Sequence, residues 1–444
     1  MEDNNKKVIT RFAPSPTGVL HIGGLRTMLF NYLYARQKGG EFILRIEDTD
    51  KERSKKEFED SIVAAIKLVG VTYDKFFRQS ERTNIYREYL KKLVDSNNAY
   101  VSKEVPKEEG DRDEVIRFKN PNKKIKIDDL ILGPVEMGTT DLGDFVIAKD
   151  MESPLYHMAV VVDDFEMGVT HVIRGQEHLA NTPRQILIQE ALGFYRPAYA
   201  HIPLILAPDK TKLSKRHGAV NVVDYLAQGY LPEAIVNFIA TMGWSAQSGK
   251  SGTNEEIFSL KDLVKKFDLG NVQKGAAIFN IEKLDWLNRE YIKKLSDYEY
   301  IKTAHNYLPE GIKSLRDYSD EKFHKVAMTV KDRISKFCEI THLSEAGELQ
   351  YYFEQPTYEK SLLKNTSFLP EIISLIDKIE DKDFTQKKVK ETIWDFATEK
   401  GRGEVLWPMR VALSGKEKSP DPFTLAEILG KAETIKRLKF AIEK

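Results

Sequence analysis

Thr10-Arg11-Phe12-Ala13-Pro14-Ser15-Pro16-Thr17-Gly18-Val19-Leu20-His21-Ile22-Gly23-Gly24-Leu25-Arg26-Thr27 is the stretch that decides the fold class. A short β-branched run, Lys7-Val8-Ile9-Thr10, leads into it, and Leu25, Leu29, Phe30 and Leu33 follow at helical spacing. The order is strand, loop, helix. Pro14, Ser15, Pro16, Thr17 and Gly18 occupy the loop, and the helix begins near His21 with Gly23 and Gly24 in its first turn. A helical glycine costs about 1 kcal/mol against alanine, so two together point to another group approaching the backbone closely. A helix N-terminus has free N–H groups and a partial positive charge, which suits phosphate. The stretch is neither G-x-G-x-x-G nor the P-loop pattern. By itself it fits a nucleotide-binding turn or a tight turn that packs helix on sheet.

A second strand follows in Glu41-Phe42-Ile43-Leu44-Arg45-Ile46-Glu47, apolar over 42–46 apart from Arg45, as in a sheet buried on both faces. It ends in Glu47-Asp48-Thr49-Asp50, at the edge where open α/β sheets bind ligands. Two roles are expected there. Asp48 or Asp50 caps the helix over 54–69, and Glu47 contacts ligand. Residues 83–96 read as a further helix, with Ile85, Tyr89, Leu90, Leu93 and Val94 on one face. Residues 100–144 break the pattern with a charge run over 107–114 and short strands over 115–118 and 124–127. This reads as an insertion between two halves of a sheet domain.

The sheet pattern returns over 145–148. Residues 157–164, an apolar run closing in two acids, and residues 169–174 read as further strands. The last ends in Arg174-Gly175-Gln176-Glu177-His178. A helix over 183–192 and the segment His201-Ile202-Pro203-Leu204-Ile205-Leu206 precede a loop with four basic residues in the seven positions from Lys210 to Arg216. That loop is either simply solvated or a mobile clamp on phosphates, since lysine is a flexible point charge with three donors. From Leu231 onward the chain reads helical, with amphipathic segments over 232–242, 323–337, 362–379, 387–399 and 425–429.

At 444 residues the chain exceeds one ordinary core, so two to four domains are expected. Lys+Arg and Asp+Glu both number 68, so overall charge does not indicate a nucleic-acid partner, which would need local basic surfaces. The single cysteine, Cys338, excludes an intrachain disulfide and a Cys-based zinc site, and reads as a small buried helix residue. Residues 1–7 lack the apolar core of a signal peptide, and no run of about 18 apolar residues occurs. A cytoplasmic chain without a membrane partner is expected.

Pro14-Ser15-Pro16-Thr17-Gly18 with His21-Ile22-Gly23-Gly24 resembles the HIGH region of class I aminoacyl-tRNA synthetases, and Lys212-Leu213-Ser214-Lys215-Arg216 resembles their KMSKS loop. Arg11-Phe12-Ala13, Arg45-Ile46-Glu47-Asp48-Thr49-Asp50 and Arg174-Gly175-Gln176-Glu177-His178-Leu179 narrow the resemblance to glutamyl-tRNA synthetases of bacterial type. It is close over 8–287, the insertion excepted. It continues more weakly to the end, through Trp407-Pro408-Met409-Arg410-Val411-Ala412-Leu413-Ser414-Gly415. The resemblance implies an α/β fold. A Rossmann-like doubly wound parallel sheet carries a short insertion, and all-helical stem-contact and anticodon-binding domains follow. The implied divisions are 1–98, 99–144 (acceptor-end insertion, no zinc motif), 145–230, 231–318 and 319–444.

The implied activity is glutamate–tRNA ligation through glutamyl-adenylate, with ATP as substrate, Mg²⁺ on the triphosphate, no zinc, and a monomeric enzyme acting on tRNA. Whether a glutamine tRNA is charged as well would rest with the anticodon module. His21, Lys212 and Lys215 match the catalytic positions. Pro14, Ser15, Gly23, Gly24, Glu177, Ile205, Leu213, Ser214 and Arg216 join those three at the ATP site. Arg11, Ala13, Ser15, Glu47, Tyr156 and Arg174 match the glutamate pocket. Arg11 meets the side-chain carboxylate, Arg174 is a second guanidinium, and Glu47 and Ser15 hold the amino group. Arg333, Arg402 and Arg410 are candidate tRNA contacts, and no protein side chain is assigned to a metal.

The short insertion lacks the Cys-rich pattern of some relatives, and Val160 stands where some carry asparagine. A glutaminyl enzyme would end in a β-barrel module, against the helical pattern here. A tRNA-modifying paralogue would match only the catalytic half, against residues 322–444. A non-catalytic RNA-binding relative would have decayed signatures, whereas His21, Lys212 and Lys215 are intact.

Overall fold

The computed structural model describes residues 7–104, 114–211, 213, 221–246 and 255–444. They form two compact units, Met1–Leu287 and Asn288–Lys444. The first unit opens with β1 (Ile9–Phe12), α1 (Ile22–Gln37), β2 (Glu41–Ile46), α2 (Lys56–Leu68), β3 (Lys75–Arg78) and α3 (Thr83–Asp95). β1 pairs with β2 and β2 with β3, both in parallel. An antiparallel segment follows: β4 (Ala99–Lys103), β5 (Glu114–Phe118), β6 (Lys124–Asp129), β7 (Gly133–Gly138) and β8 (Phe145–Ala148), ordered β4-β5-β8 and β6-β7. Then come α4 (Tyr156–Glu166), β9 (His171–Gly175), α5 (Thr182–Leu192), β10 (Ala198–Ile202) and β11 (Ile205–Leu206).

β9 and β10 form another parallel pair. The Thr170 amide donates to the Ile9 carbonyl at 2.9 Å, which seats β9 beside β1. The order across the sheet is β3-β2-β1-β9-β10. The chain leaves β1 toward β2 on one side and returns at β9 on the other, so the sheet's switch point lies between β1 and β9, where open α/β sheets form a ligand crevice. α1 is fastened over both strands. Its buried Asn31 donates to the Ile173 carbonyl of β9 at 2.8 Å, while the Asn31 carbonyl accepts from Thr10 Oγ1 of β1 at 2.9 Å. Leu25, Met28, Leu29, Phe30 and Leu33 are all fully buried, and each contributes about 1.5–3 kcal/mol.

Three expectations are corrected. Residues 157–164 are not a strand but most of α4. Everything from Met158 to Asp164 is buried, so no apolar stripe marks the helical period, and three successive valines favour the strand reading. Residues 145–148 do not rejoin the parallel sheet, because β8 pairs antiparallel with β5. Neither Asp48 nor Asp50 caps α2, whose N-cap is Lys55 without a side-chain bond. Asp48 instead accepts from the amide and hydroxyl of Ser80 (2.8 and 2.6 Å), and Asp50 pairs with Arg53.

The chain continues with α6 (Val222–Ala227), α7 (Pro232–Thr241), α8 (Leu260–Lys266), β12 (Ala277–Ile278), parallel to β11, and α9 (Ile281–Lys294). The second unit has helices and turns only. The segment expected over 323–337 is helical over Asp320–Val330, and that over 362–379 over Leu369–Asp377. Cys338 stands just ahead of the helix Glu339–Glu345, half-buried, rather than inside a helix. Among the described residues no helix is long and apolar enough to cross a membrane.

Candidate active site

The loop after β1 is tied to the loop after β2. The Pro14 carbonyl accepts the Glu47 amide and the Pro16 carbonyl accepts the Lys55 amide, both at 3.0 Å. Ala13 and Pro14 are half-buried and Ser15 is exposed. His21 is the N-cap of α1, and its Nδ1 accepts the Gly24 amide at 3.1 Å, using one of the helix's free donors. In the neutral ring that bond places the proton on Nε2. A Cβ on Gly23 would lie 3.0 Å from His21 Cε1, and one on Gly24 would lie 2.9 Å from Leu20 Cδ1. The glycines therefore make room first for the capping imidazole and for Leu20.

Beneath this loop lies a buried ionic cluster. Arg45 of β2 is fully buried, with Nη1 2.7 Å from Asp164 Oδ1, Nη2 3.1 Å from Glu47 Oε1 and Nε 3.7 Å from Asp163 Oδ2. Arg11 of β1 turns Nε and Nη2 to the same Asp164 at 3.1 and 3.4 Å, which leaves Nη1 for another acceptor. Asp163 also accepts from Arg82, Gln79 and Tyr86 at 2.7, 2.9 and 2.9 Å. Burial alone would raise the Asp164 carboxyl, but Arg11 and Arg45 outweigh it and hold it below the usual range. Burial wins at Glu47, where the carboxyl is raised in spite of Arg45 and Arg11. Asp163 and Asp164 sit near the C-terminal end of α4, the wrong end of a helix for anions. The three guanidinium groups make that placement tenable.

Arg174, near the end of β9, has a different environment. Its Nε lies 3.2 Å from His201 Nε2, Nη1 donates to Gln185 Oε1 at 2.7 Å, and Nη2 donates to Thr182 Oγ1 at 2.7 Å. None of these acceptors is a carboxylate, although Arg174 is only 4% exposed. Tyr156, the first residue of α4, has its hydroxyl 3.3 Å from His178 Nδ1. Burial raises this phenol, and the charges of Glu47, Arg174 and Arg11 all act on it. The structure thus brings Arg11, Glu47, Tyr156 and Arg174 together around the β1/β9 switch point.

The other expected positions are more scattered. Glu177 follows β9, exposed, and Ile205 begins β11, half-buried. Leu213 is partly buried against the main core, whereas Lys212, Ser214, Lys215 and Arg216 lie outside the described residues. In the second unit Arg402 lies over the Trp394 ring at 4.4 Å and Arg410 over Trp407 at 4.9 Å, while Arg333 pairs with Glu348 at 2.5 Å. Arg45, Asp129, His201 and the acid pair Asp163-Asp164 were given no role by sequence. The signal for Arg45 was a charge inside an otherwise apolar strand, which burial obliges to be paired.

A family model described as the catalytic domain of class I tRNA synthetases (E and Q) matches residues 7–112 and 103–286, and one described as an anticodon binding domain matches 291–442. A glutamate–tRNA ligase of Thermodesulfovibrio yellowstonii is 39% identical, with 98% of this chain and 99% of that protein aligned. One from Aquifex aeolicus is 40% identical over 99% of each. Among solved structures, a glutamate tRNA ligase from Elizabethkingia meningosepticum in complex with its amino acid superposes with a TM-score of 0.88 at 33% identity. That match covers 99% of this chain and 100% of the other.

Proposed function

The chain belongs to the glutamate–tRNA ligases of the class I synthetases, and on that premise we propose how its residues divide the work. The reaction joins L-glutamate to tRNA in two steps. An α-carboxylate oxygen of glutamate attacks the α-phosphorus of ATP, and the bond to pyrophosphate breaks with its electron pair. A ribose hydroxyl of the terminal tRNA adenosine then attacks the activated carbonyl, AMP leaves, and the hydroxyl proton is released. Such transfers ask little covalent work of the protein, so positioning and charge stabilisation carry the rate.

The observation that carries the residue assignment is a charge count. Arg11, Arg45 and Arg82 face Glu47, Asp163 and Asp164, three cations against three anions. Arg174 stands outside that cluster. Its direct bonds go only to neutral atoms, and the buried carboxylate beside it, Asp129, reaches it only through His201. Glutamate brings two carboxylates and one ammonium, and a carboxylate is the direct ionic partner that Arg174 lacks. Arg11, through Nη1, meets the side-chain carboxylate and Arg174 supplies the second guanidinium, each able to grip a carboxylate by paired bonds. Glu47 and Ser15 hold the ammonium, whose charge favours the ionised form that burial opposes at Glu47. Tyr156 and the Ala13 backbone complete the pocket.

ATP lies over the N-terminus of α1. His21 Nε2–H and the first amides contact phosphates, Pro14, Ser15, Gly23 and Gly24 shape the floor, and Glu177 and Ile205 flank the adenosine. Lys212 and Lys215, with Leu213, Ser214 and Arg216, cover the departing pyrophosphate, Lys215 foremost. No three ligating side chains gather among the described residues, so Mg²⁺ is proposed to enter on the triphosphate and no step is assigned to it. The inserted segment 99–144 meets the acceptor end, 231–318 the stem, and 319–444 the anticodon. Arg402 and Arg410 are supported there by their indole partners, since cation–aromatic surfaces suit unstacked bases. Arg333 would first give up Glu348. The proposed state, a cytoplasmic monomer, is carried over with the family resemblance.

The test is a glutamate titration of Arg174→Ala and of Arg11→Ala. A lost bond to a charged group is worth roughly 1.5–3 kcal/mol, so the glutamate KM should rise about 10- to 100-fold with the ATP KM held. An unchanged glutamate KM would remove that residue from the pocket.

A further inference from the structure

The inserted segment reaches the site through Asp129, the last residue of β6. Asp129 is buried, and its carboxylate is saturated. Oδ1 accepts the amides of Ile131 and Leu132 at 3.0 and 2.9 Å, and Oδ2 accepts the His201 amide at 3.1 Å and lies 2.6 Å from His201 Nδ1. A carboxylate at that distance needs a donor, so the neutral imidazole keeps its proton on Nδ1 and presents a lone pair at Nε2. That lone pair is 3.2 Å from Arg174 Nε and 3.1 Å from Thr182 Oγ1. The opposite tautomer would set Nε2–H against the N–H of Arg174, two donors face to face. Burial and the charge of Arg174 both oppose protonation of His201, and they outweigh the support of Asp129. With Nε, Nη1 and Nη2 each holding one fixed acceptor, the guanidinium plane is set and one N–H on each Nη is left over.

We propose that Asp129 and His201 are positioning residues for Arg174, so that the inserted segment takes part in selecting glutamate by fixing the plane in which Arg174 meets the ligand carboxylate. The proposal rests on the placement of Arg174 in the glutamate pocket. It goes further in assigning a role to a carboxylate from the antiparallel segment.

Asp129→Asn tests it. The two amides on Oδ1 select the carbonyl of asparagine for that position, so its NH₂ faces Nδ1 and imposes the wrong tautomer. The expected result is a glutamate KM raised about tenfold or more, with the ATP KM within about twofold of wild type. In an Arg174→Lys background, which has no Nε–H to receive the lone pair, the further effect of Asp129→Asn on glutamate KM should fall below about twofold. A full additional tenfold loss would mean that Asp129 only supports the fold, and would overturn the proposal. If Arg174→Lys itself leaves the glutamate KM unmoved, the pocket assignment falls and the proposal with it. If Arg174→Lys raises the KM and Asp129→Asn does not, the proposal alone falls. A second readout needs no change at Asp129. In the full chain with ¹⁵N-labelled histidine, His201 (identified by its loss in His201→Gln) should be the Nδ1–H tautomer. An Nε2–H or doubly protonated ring would refute the proposal.

Discussion

Replacing Arg45 by methionine keeps an apolar body of similar length and removes the charge at the centre of the buried cluster. Arg45 lies 2.7 Å from Asp164, 3.1 Å from Glu47 and 3.7 Å from Asp163. After the change Asp164 still has Arg11 and Asp163 still has Arg82, at 3.1 and 2.7 Å. Glu47 is the carboxylate left without a guanidinium. Removing one partner of a buried pair costs roughly 3–5 kcal/mol, most of it from the stranded charge. At about 2–4 °C per kcal/mol for a unit of this size, Tm should fall by roughly 6–20 °C at pH 7. The sign with pH follows from Glu47. Its carboxyl is already raised by burial, and without Arg45 it rises further, so the deficit shrinks as acid neutralises it. Adding Glu47→Gln to Arg45→Met should restore most of the loss, because an amide needs no counter-charge. Denaturant and thermal unfolding of wild type, Arg45→Met and the double variant at pH 7 and pH 5 give the answer. An Arg45→Met protein within about 1 kcal/mol of wild type at pH 7, or no recovery in the double variant, would contradict Arg45 as the counter-charge of Glu47.

Three further outcomes are expected. Gly23→Ala should lower kcat for adenylate formation several-fold with little change in Tm, since its Cβ would press on the His21 ring at 3.0 Å; unchanged kcat would mean the imidazole's position is immaterial. Lys215→Ala should slow adenylate formation, measured by single-turnover kinetics, far more than it weakens glutamate binding, and equal losses would count against a role on the departing pyrophosphate. Burial, with Arg184 and Arg174 nearby, pushes His157 down to about 4. The unfolded chain then takes up this proton first as pH falls from about 6.5, so wild type should lose about 1–2 kcal/mol by pH 5 that His157→Phe does not. Parallel decline of the two in urea unfolding would contradict a neutral His157.

What could be read from sequence depended on whether a local period survived burial. β1, α1 and β2 were legible because charged, turn-forming and apolar residues alternate there in distinct blocks. α4 was not, since a helix buried on every side has no polar face to show its period. β8 was misplaced because four apolar residues fit a parallel or an antiparallel neighbour equally well. Around the site, the residues that match a known pattern were named, and Arg11, Glu47, Tyr156 and Arg174 do converge. Their partners were invisible, because nothing local links Arg45 to Asp164 or Asp129 to His201. Those bonds span 119 and 72 positions. Asp48 and Asp50 show the same limit from the other side. Their spacing suggested a helix cap, and a hydroxyl and amide at Ser80 and the guanidinium of Arg53 claimed them instead.

The most direct test of the central claim, that this crevice selects glutamate for activation, is amino-acid-dependent ATP–pyrophosphate exchange by the full chain, with and without tRNA. Exchange is expected with glutamate in at least one of the two conditions and none with glutamine, whose neutral amide cannot replace the side-chain carboxylate that Arg11 meets. Exchange with glutamine equal to that with glutamate, or no exchange with glutamate in either condition, would contradict it.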